Sequence, residues 1–108
     1  MTQRSEANIQ RDIMLALSEA GCLVWRNNTG AYTDPRSGAY IRYGVGGKGG
    51  ADLIGITPAG KFLAVEVTSK TGRTTKEQTN FICAVIQAGG IAGVCRSADD
   101  ALDLIKQQ

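Results

Sequence analysis

Asp52 and Glu66 stand fourteen residues apart, each at or inside an apolar stretch. Asp52 opens Leu53-Ile54-Gly55-Ile56, and Glu66 is embedded in Phe62-Leu63-Ala64-Val65-Glu66-Val67-Thr68. A carboxylate in the middle of an apolar strand is costly unless something neutralises its charge. Between the two lies Thr57-Pro58-Ala59-Gly60-Lys61, a turn signal, so two strands folded back on each other would lay the acids side by side. Paired carboxylates suit Mg²⁺ or Mn²⁺, and a cation held there can assist attack of water on a phosphodiester. The competing structural account has Asp52 capping a turn and Glu66 paired with Lys48 or Lys61.

Composition narrows the chemistry. The chain contains no histidine, which removes imidazole bases, histidine–metal sites and histidine-activated serine or cysteine nucleophiles. Catalysis would have to rest on carboxylates, lysine and metal-activated water. Three cysteines, Cys22, Cys83 and Cys95, are widely spaced among apolar neighbours without a CxxC pair; they read as small buried hydrophobes and not as a zinc site. The glycine run Gly44-Val45-Gly46-Gly47-Lys48-Gly49-Gly50 matches neither phosphate-loop nor dinucleotide-binding glycine spacing. The run has no place in a regular element, but its backbone can approach a ligand closely.

The elements that must position the acids follow from periodicity. Residues 5 to 20 read as a helix with Ser5 as N-cap, Gly21 as its stop, and Ile9, Ile13, Ala16, Leu17 and Ala20 on one face. Glu6 falls near the middle of that apolar stripe, either favouring the positive helix N-terminus or aimed at the acid pair. Cys22 to Arg26 reads as a strand, Asn27 to Gly38 as a polar loop, and Ala39 to Tyr43 as a second short strand. Ala51 to Ile56 and Lys61 to Thr68 form the hairpin carrying the acids. Thr75, or equally Thr74, caps a helix running to about Ala88, with Gln78 completing a capping box on Thr75. Ile91 to Cys95 is a buried strand, and a last helix follows Ser97.

The pattern is an α/β chain whose mixed sheet is flanked by helices, with a right-handed β-α-β crossover from Lys61 to Cys95. Its 108 residues, 43% of them hydrophobic, are expected to form one domain over residues 1–108. With no apolar run near the roughly 18 residues of a membrane span and no signal-peptide pattern at the N-terminus, the expected location is cytoplasmic. Formal net charge is only +2, but residues 26 to 50 carry Arg26, Arg36, Arg42 and Lys48 against one acid, Asp34. That distribution favours an anionic partner. Trp25 is expected to fill the core, and Tyr32 to be exposed.

The succession Gly49-Gly50-Ala51-Asp52-Leu53-Ile54, Glu66-Val67-Thr68 and Thr75-Lys76-Glu77-Gln78 resembles the restriction-endonuclease-like nuclease core: an aspartate, then a glutamate, any residue, and a lysine. Glu6 with Gln10, Trp25-Arg26-Asn27-Asn28-Thr29-Gly30 and Gly47-Lys48-Gly49 extend the resemblance to the virus-type replication-repair nuclease, or VRR-NUC, family across nearly the whole chain. The resemblance implies an α-β-β-β-α-β core and a structure-specific DNA endonuclease that uses Mg²⁺ or Mn²⁺. It further implies activity on branched or four-way-junction DNA, a homodimer, and a bacterial or phage-infected cell. Under it, Asp52, Glu66, the Val67 carbonyl and Glu6 hold the metal. Gln78 faces the site, and Gln10 supports it from the first helix.

One position departs from the pattern: Thr68 stands where the family motif has lysine. Strand alternation puts Glu66, Thr68 and Lys70 on one face if the chain stays extended. Lys70 would then lie about 13 Å from Glu66, closer if the strand ends in a bend. Lys70 substitutes for the lysine, or metal alone supports slow cleavage, or the domain binds DNA without cutting well. Arg26, Asn28, Arg42, Lys48, Lys70 and Arg73, with Arg36 and Lys76, are the candidate DNA contacts. They are suited to phosphate and hence to shape more than to sequence.

Overall fold

A computed structural model describes residues 5–107. Ser5 caps the first helix, α1 (Glu6–Glu19), its side chain accepting from the Asn8 N–H at 3.2 Å. Ile9, Ile13 and Leu17, spaced at four residues, are the buried stripe of α1. The chain then forms β1 (Leu23–Arg26), β2 (Gly30–Thr33), β3 (Tyr40–Tyr43), a 3-10 turn (Gly47–Gly49), β4 (Leu53–Ile56), β5 (Phe62–Val67), α2 (Lys76–Gln87), β6 (Ile91–Cys95) and α3 (Ala98–Ile105).

The main sheet has the order β1-β4-β5-β6. The first two pairings are antiparallel and β5–β6 is parallel, as a crossover through α2 requires. The mixed sheet flanked by helices is therefore the architecture found. Leu53, Leu63, Val65, Val67, Ile91 and Cys95 meet α1 and α3 on one face, with Ala101 and Ile105 from α3. Ala64 and Ala92 meet Val85, Phe81 and Ile82 of α2 on the other. The small alanines let α2 lie close to the strands. The Thr57–Lys61 turn closes on itself: the Thr57 N–H donates to the Lys61 carbonyl at 2.9 Å, and Gly60 takes φ 83°.

Four expectations need correction. The segment from Asn27 to Gly38 contains a strand, β2, which pairs antiparallel with β3 in a separate two-stranded sheet. In Gly-Ala-Tyr-Thr the strand formers Tyr32 and Thr33 are offset by Gly30 and Ala31, so pairing with β3 decides. The glycine run is not wholly irregular, since Gly47–Gly49 form a 3-10 turn. Trp25 is 50% exposed, not core: it lies opposite Ile54 on the α2 side of the edge strand, while α2 packs over β5 and β6. Cys83 is exposed on α2, whereas Cys22 and Cys95 are buried; burial raises both of their thiol pKa values, that of Cys95 to about 12. Among the described residues no helix is long and apolar enough to cross a membrane.

Candidate functional site

The antiparallel register of β4 and β5 pairs Leu53 with Val65 and Ile54 with Ala64. One step further along it, Asp52 falls opposite Glu66, on the face that α2 covers. The Val67 N–H donates to Asp52 Oδ2 at 2.9 Å, fixing that carboxylate at the mouth of the strand pair. Glu66 is only 4% exposed. Its carboxyl pKa is pushed up to about 8, first by burial, then by a hydrogen bond to Asp52 and by the charges of Asp52 and Glu6. Glu66 Oε2 is buried with no hydrogen-bond partner among the described residues.

That orphaned oxygen fits a cation. A buried carboxylate oxygen without a donor is a cost that Mg²⁺ or Mn²⁺ would remove, and two facing carboxylates form a hard donor pair. Glu6, exposed at the start of α1, adds its charge to the pair. Among the described residues no three Asp, Glu, Cys or His side chains converge as a ready ion-binding group. Among the described residues Glu66 makes no salt bridge to a lysine, and Lys48 stands 3.9 Å from Glu77.

The remaining candidates are distributed as follows. Thr68 is 5% exposed, and a Cβ placed on Gly72 would collide with its hydroxyl. Beyond Thr68 the chain does not stay extended, because Gly72 N–H donates to the Ser69 carbonyl at 3.1 Å. The strand thus ends in a bend, with Lys70 exposed at its turn. Gln78 accepts from the Thr75 N–H at 2.8 Å, while Thr75 Oγ1 accepts from Gln78 N–H at 3.2 Å. Thr75 is therefore the cap, and the Gln78 carbonyl oxygen is engaged in holding it. Arg26 and Gln10 line a cleft with Ala7, Arg11 and Met14 beside α1, across the sheet from Glu66. Arg42 and Lys48 line another cleft. Asn28 and Arg73 are exposed.

Two positioning residues were assigned no role from the sequence, although Asn27 lies in the Trp25-to-Gly30 segment that carries the family resemblance. Asn27 donates through Nδ2 to the carbonyls of Val45 and Ala51, both at 2.8 Å, and accepts from the Val45 N–H at 3.0 Å. Its own N–H donates to the Asp52 carbonyl at 2.8 Å. One side chain thus ties both ends of the glycine run together beside Asp52. Arg96 donates from Nη1 to the carbonyls of Ser69, Lys70 and Gly72, pinning the bend that carries Lys70. Each acts over 18 to 27 residues of sequence, and no short motif spans that separation.

The glycines of the run serve packing. A Cβ at Gly49 would strike the Glu77 carbonyl at the start of α2, and one at Gly46 would press on Phe81 at 2.7 Å. Asn27→Ala should cost about 2 kcal/mol in urea unfolding through its lost hydrogen bonds. It should also loosen Asp52, read as faster amide exchange at Val67, whose N–H that carboxylate accepts. Asn27→Asp keeps the acceptor for Val45 N–H but sets a carboxylate oxygen against the Val45 and Ala51 carbonyls, and should be at least as damaging as Asn27→Ala.

Comparison with known proteins gives two matches. A family model described as the VRR-NUC domain matches residues 4–99. A solved structure titled "VRR_NUC domain" superposes with a TM-score of 0.63, covering 94% of this chain and 94% of its own, at 20% sequence identity. At that identity the likeness is one of fold. No curated protein matches the chain.

Proposed function

The chain belongs to the VRR-NUC family, a nuclease-type family, and on that premise we propose that it is a metal-dependent, structure-specific DNA endonuclease acting on branched or junction DNA. The observation that carries this reading is the buried, unpartnered Glu66 Oε2 facing Asp52. Asp52, Glu66, the Val67 carbonyl and Glu6 would hold Mg²⁺ or Mn²⁺. Bound there, the cation supplies charge relief on the phosphoryl oxygens and lowers the pKa of a water.

The chain's own groups do the rest. The Val67 N–H holds Asp52 in place. Glu66 would hold the cation as a carboxylate, its proton passing to solvent. Lys70, on the bend pinned by Arg96, orients the attacking water and offsets negative charge, while Thr68 offers that water a hydrogen bond. Lys48, Arg42, Arg73, Arg26 and Asn28 meet phosphate along the strand. A two-fold dimer accounts for paired cuts in a symmetric junction.

The test is cleavage of end-labelled four-way junction, flap and duplex DNA with Mn²⁺ or with EDTA. Metal-dependent, junction-preferring cuts are expected, and junction binding without cutting would overturn the endonuclease reading. A second reading, a non-cleaving DNA-binding module, is favoured by one observation: the motif lysine is replaced by a buried, uncharged Thr68. The cleavage assay separates the two, and Lys70→Ala then tests whether Lys70 stands in for the missing lysine. If Lys70 serves the water, kcat should fall about 100-fold, with DNA affinity changed by less than tenfold. An unchanged kcat would remove Lys70 from the chemistry.

A further inference from the structure

The β2–β3 sheet has two strands and pairs with no other among the described residues. Such a hairpin is marginal in water without cover. This one nevertheless exposes apolar side chains instead of hiding them. Its register pairs Tyr32 with Ile41 and Gly30 with Tyr43, so these four positions share one face. Tyr32 is 54% exposed, Ile41 37% and Tyr43 51%. A Cβ on Gly30 would run into the Tyr43 ring, so that half-exposed ring lies over Gly30 on the facing strand.

The opposite face pairs Ala31 with Arg42 and Thr33 with Tyr40. The Arg42 guanidinium stands 5.4 Å from the Tyr40 ring centroid. Behind this face lies a cleft of about 380 Å³ lined by Thr29, Gly30, Tyr40, Arg42, Gly47 and Lys48. Asp34, the one acid between residues 26 and 50, is engaged at the hairpin turn, accepting from the Arg36 N–H and the Ser37 hydroxyl, both at 3.0 Å. The hairpin thus joins a ring-bearing apolar face to a cationic cleft, and its second strand runs through the glycine turn directly to Asp52.

Resting on the endonuclease reading above, we infer that the β2–β3 hairpin is the element that selects branched DNA: Tyr32 and Tyr43 stack on unpaired bases on one face while Arg42 and Lys48, on the other, hold the phosphates of an adjoining arm. Positive charge argues for DNA over a second copy of the chain, whose cleft would carry the same sign. Flat rings accept any base face, and a fully paired duplex offers none except at its ends. Discrimination by structure without sequence follows. Asn27, tying Val45 to Ala51, holds the link between hairpin and site at a fixed length.

Binding is measured in EDTA by fluorescence anisotropy, on a duplex carrying a two-base bulge, on a four-way junction, and on the intact duplex. Tyr32→Leu keeps apolar cover on the hairpin but removes the ring. It should weaken binding to bulged DNA about tenfold and to intact duplex less than twofold, and Tyr32→Phe should restore the preference. Tyr43→Phe should retain it. Arg42→Gln should weaken binding to all three DNAs and reduce the salt dependence. Equal losses on bulged and intact DNA, or no loss with Tyr32→Leu, overturn the stacking role. So does a drop in sedimentation mass in Tyr32→Leu, which would assign this face to a second copy. If the wild-type protein binds DNA without preferring unpaired bases, the hairpin inference alone fails. If it binds no DNA at all, the endonuclease reading fails with it.

Discussion

Replacing Asp52 by asparagine is expected to lower metal-dependent DNA cleavage roughly 10³-fold while leaving the fold intact. Asparagine retains an oxygen that can accept the Val67 N–H bond, observed at 2.9 Å, so the strand pair keeps its local geometry. What it loses is the negative charge that, together with Glu66, would hold a divalent cation. Calorimetric titration with Mn²⁺ should show uptake by the wild-type protein and none by Asp52→Asn, with matching circular dichroism. Mn²⁺ uptake unchanged in Asp52→Asn would remove this carboxylate from the site. Cleavage unchanged in the variant would place the chemistry elsewhere.

A second large effect belongs to Glu66 in the absence of metal. Burial and the neighbouring acids move its pKa from 4.5 to about 8. Below about 4.5 the folded and unfolded chains both carry the proton, and its contribution to stability is fully present. Between 4.5 and about 8 the folded chain keeps a proton that the unfolded chain has released. Raising pH therefore favours unfolding, and the contribution is lost as pH passes through about 8.

In EDTA, the wild-type protein should lose on the order of a few kcal/mol across this window. That corresponds to a fall in melting temperature of about 10 °C or more. Glu66→Gln should flatten the Glu66 contribution to this profile, since the amide does not titrate. Millimolar Mn²⁺ should return the lost stability mainly above neutral pH, because binding the ionised carboxylate displaces its proton. A wild-type melting temperature that holds level from pH 5 to pH 8 in EDTA would show that Glu66 is not buried as the structure has it.

The facing acid pair was legible because strand pattern and turn chemistry agree locally. Two apolar runs around Thr57–Lys61 leave little choice of register, and register alone sets Asp52 opposite Glu66. The helix caps at Ser5 and Thr75 were legible for the same reason, since each cap and its partner lie within one turn. The bend after Thr68 was open in the sequence, because an extended and a turned chain both accommodate Ser69-Lys70-Thr71-Gly72. Arg96, arriving from the far end of β6, accompanies the turned form.

Taken alone, the sequence established the order of elements around the core, the acids, the absence of imidazole chemistry and the family. Each of these is written in local periodicity, residue type or short spacing. Only the tertiary structure decided that Trp25 faces outward, that Gly30–Thr33 becomes a strand, that Glu66 Oε2 lacks a donor among the described residues and that Asn27 and Arg96 hold the segments beside the site. The reason is common to all four. Burial and hydrogen-bond satisfaction depend on which distant segments arrive at a residue, and a chain read one neighbourhood at a time does not contain that information.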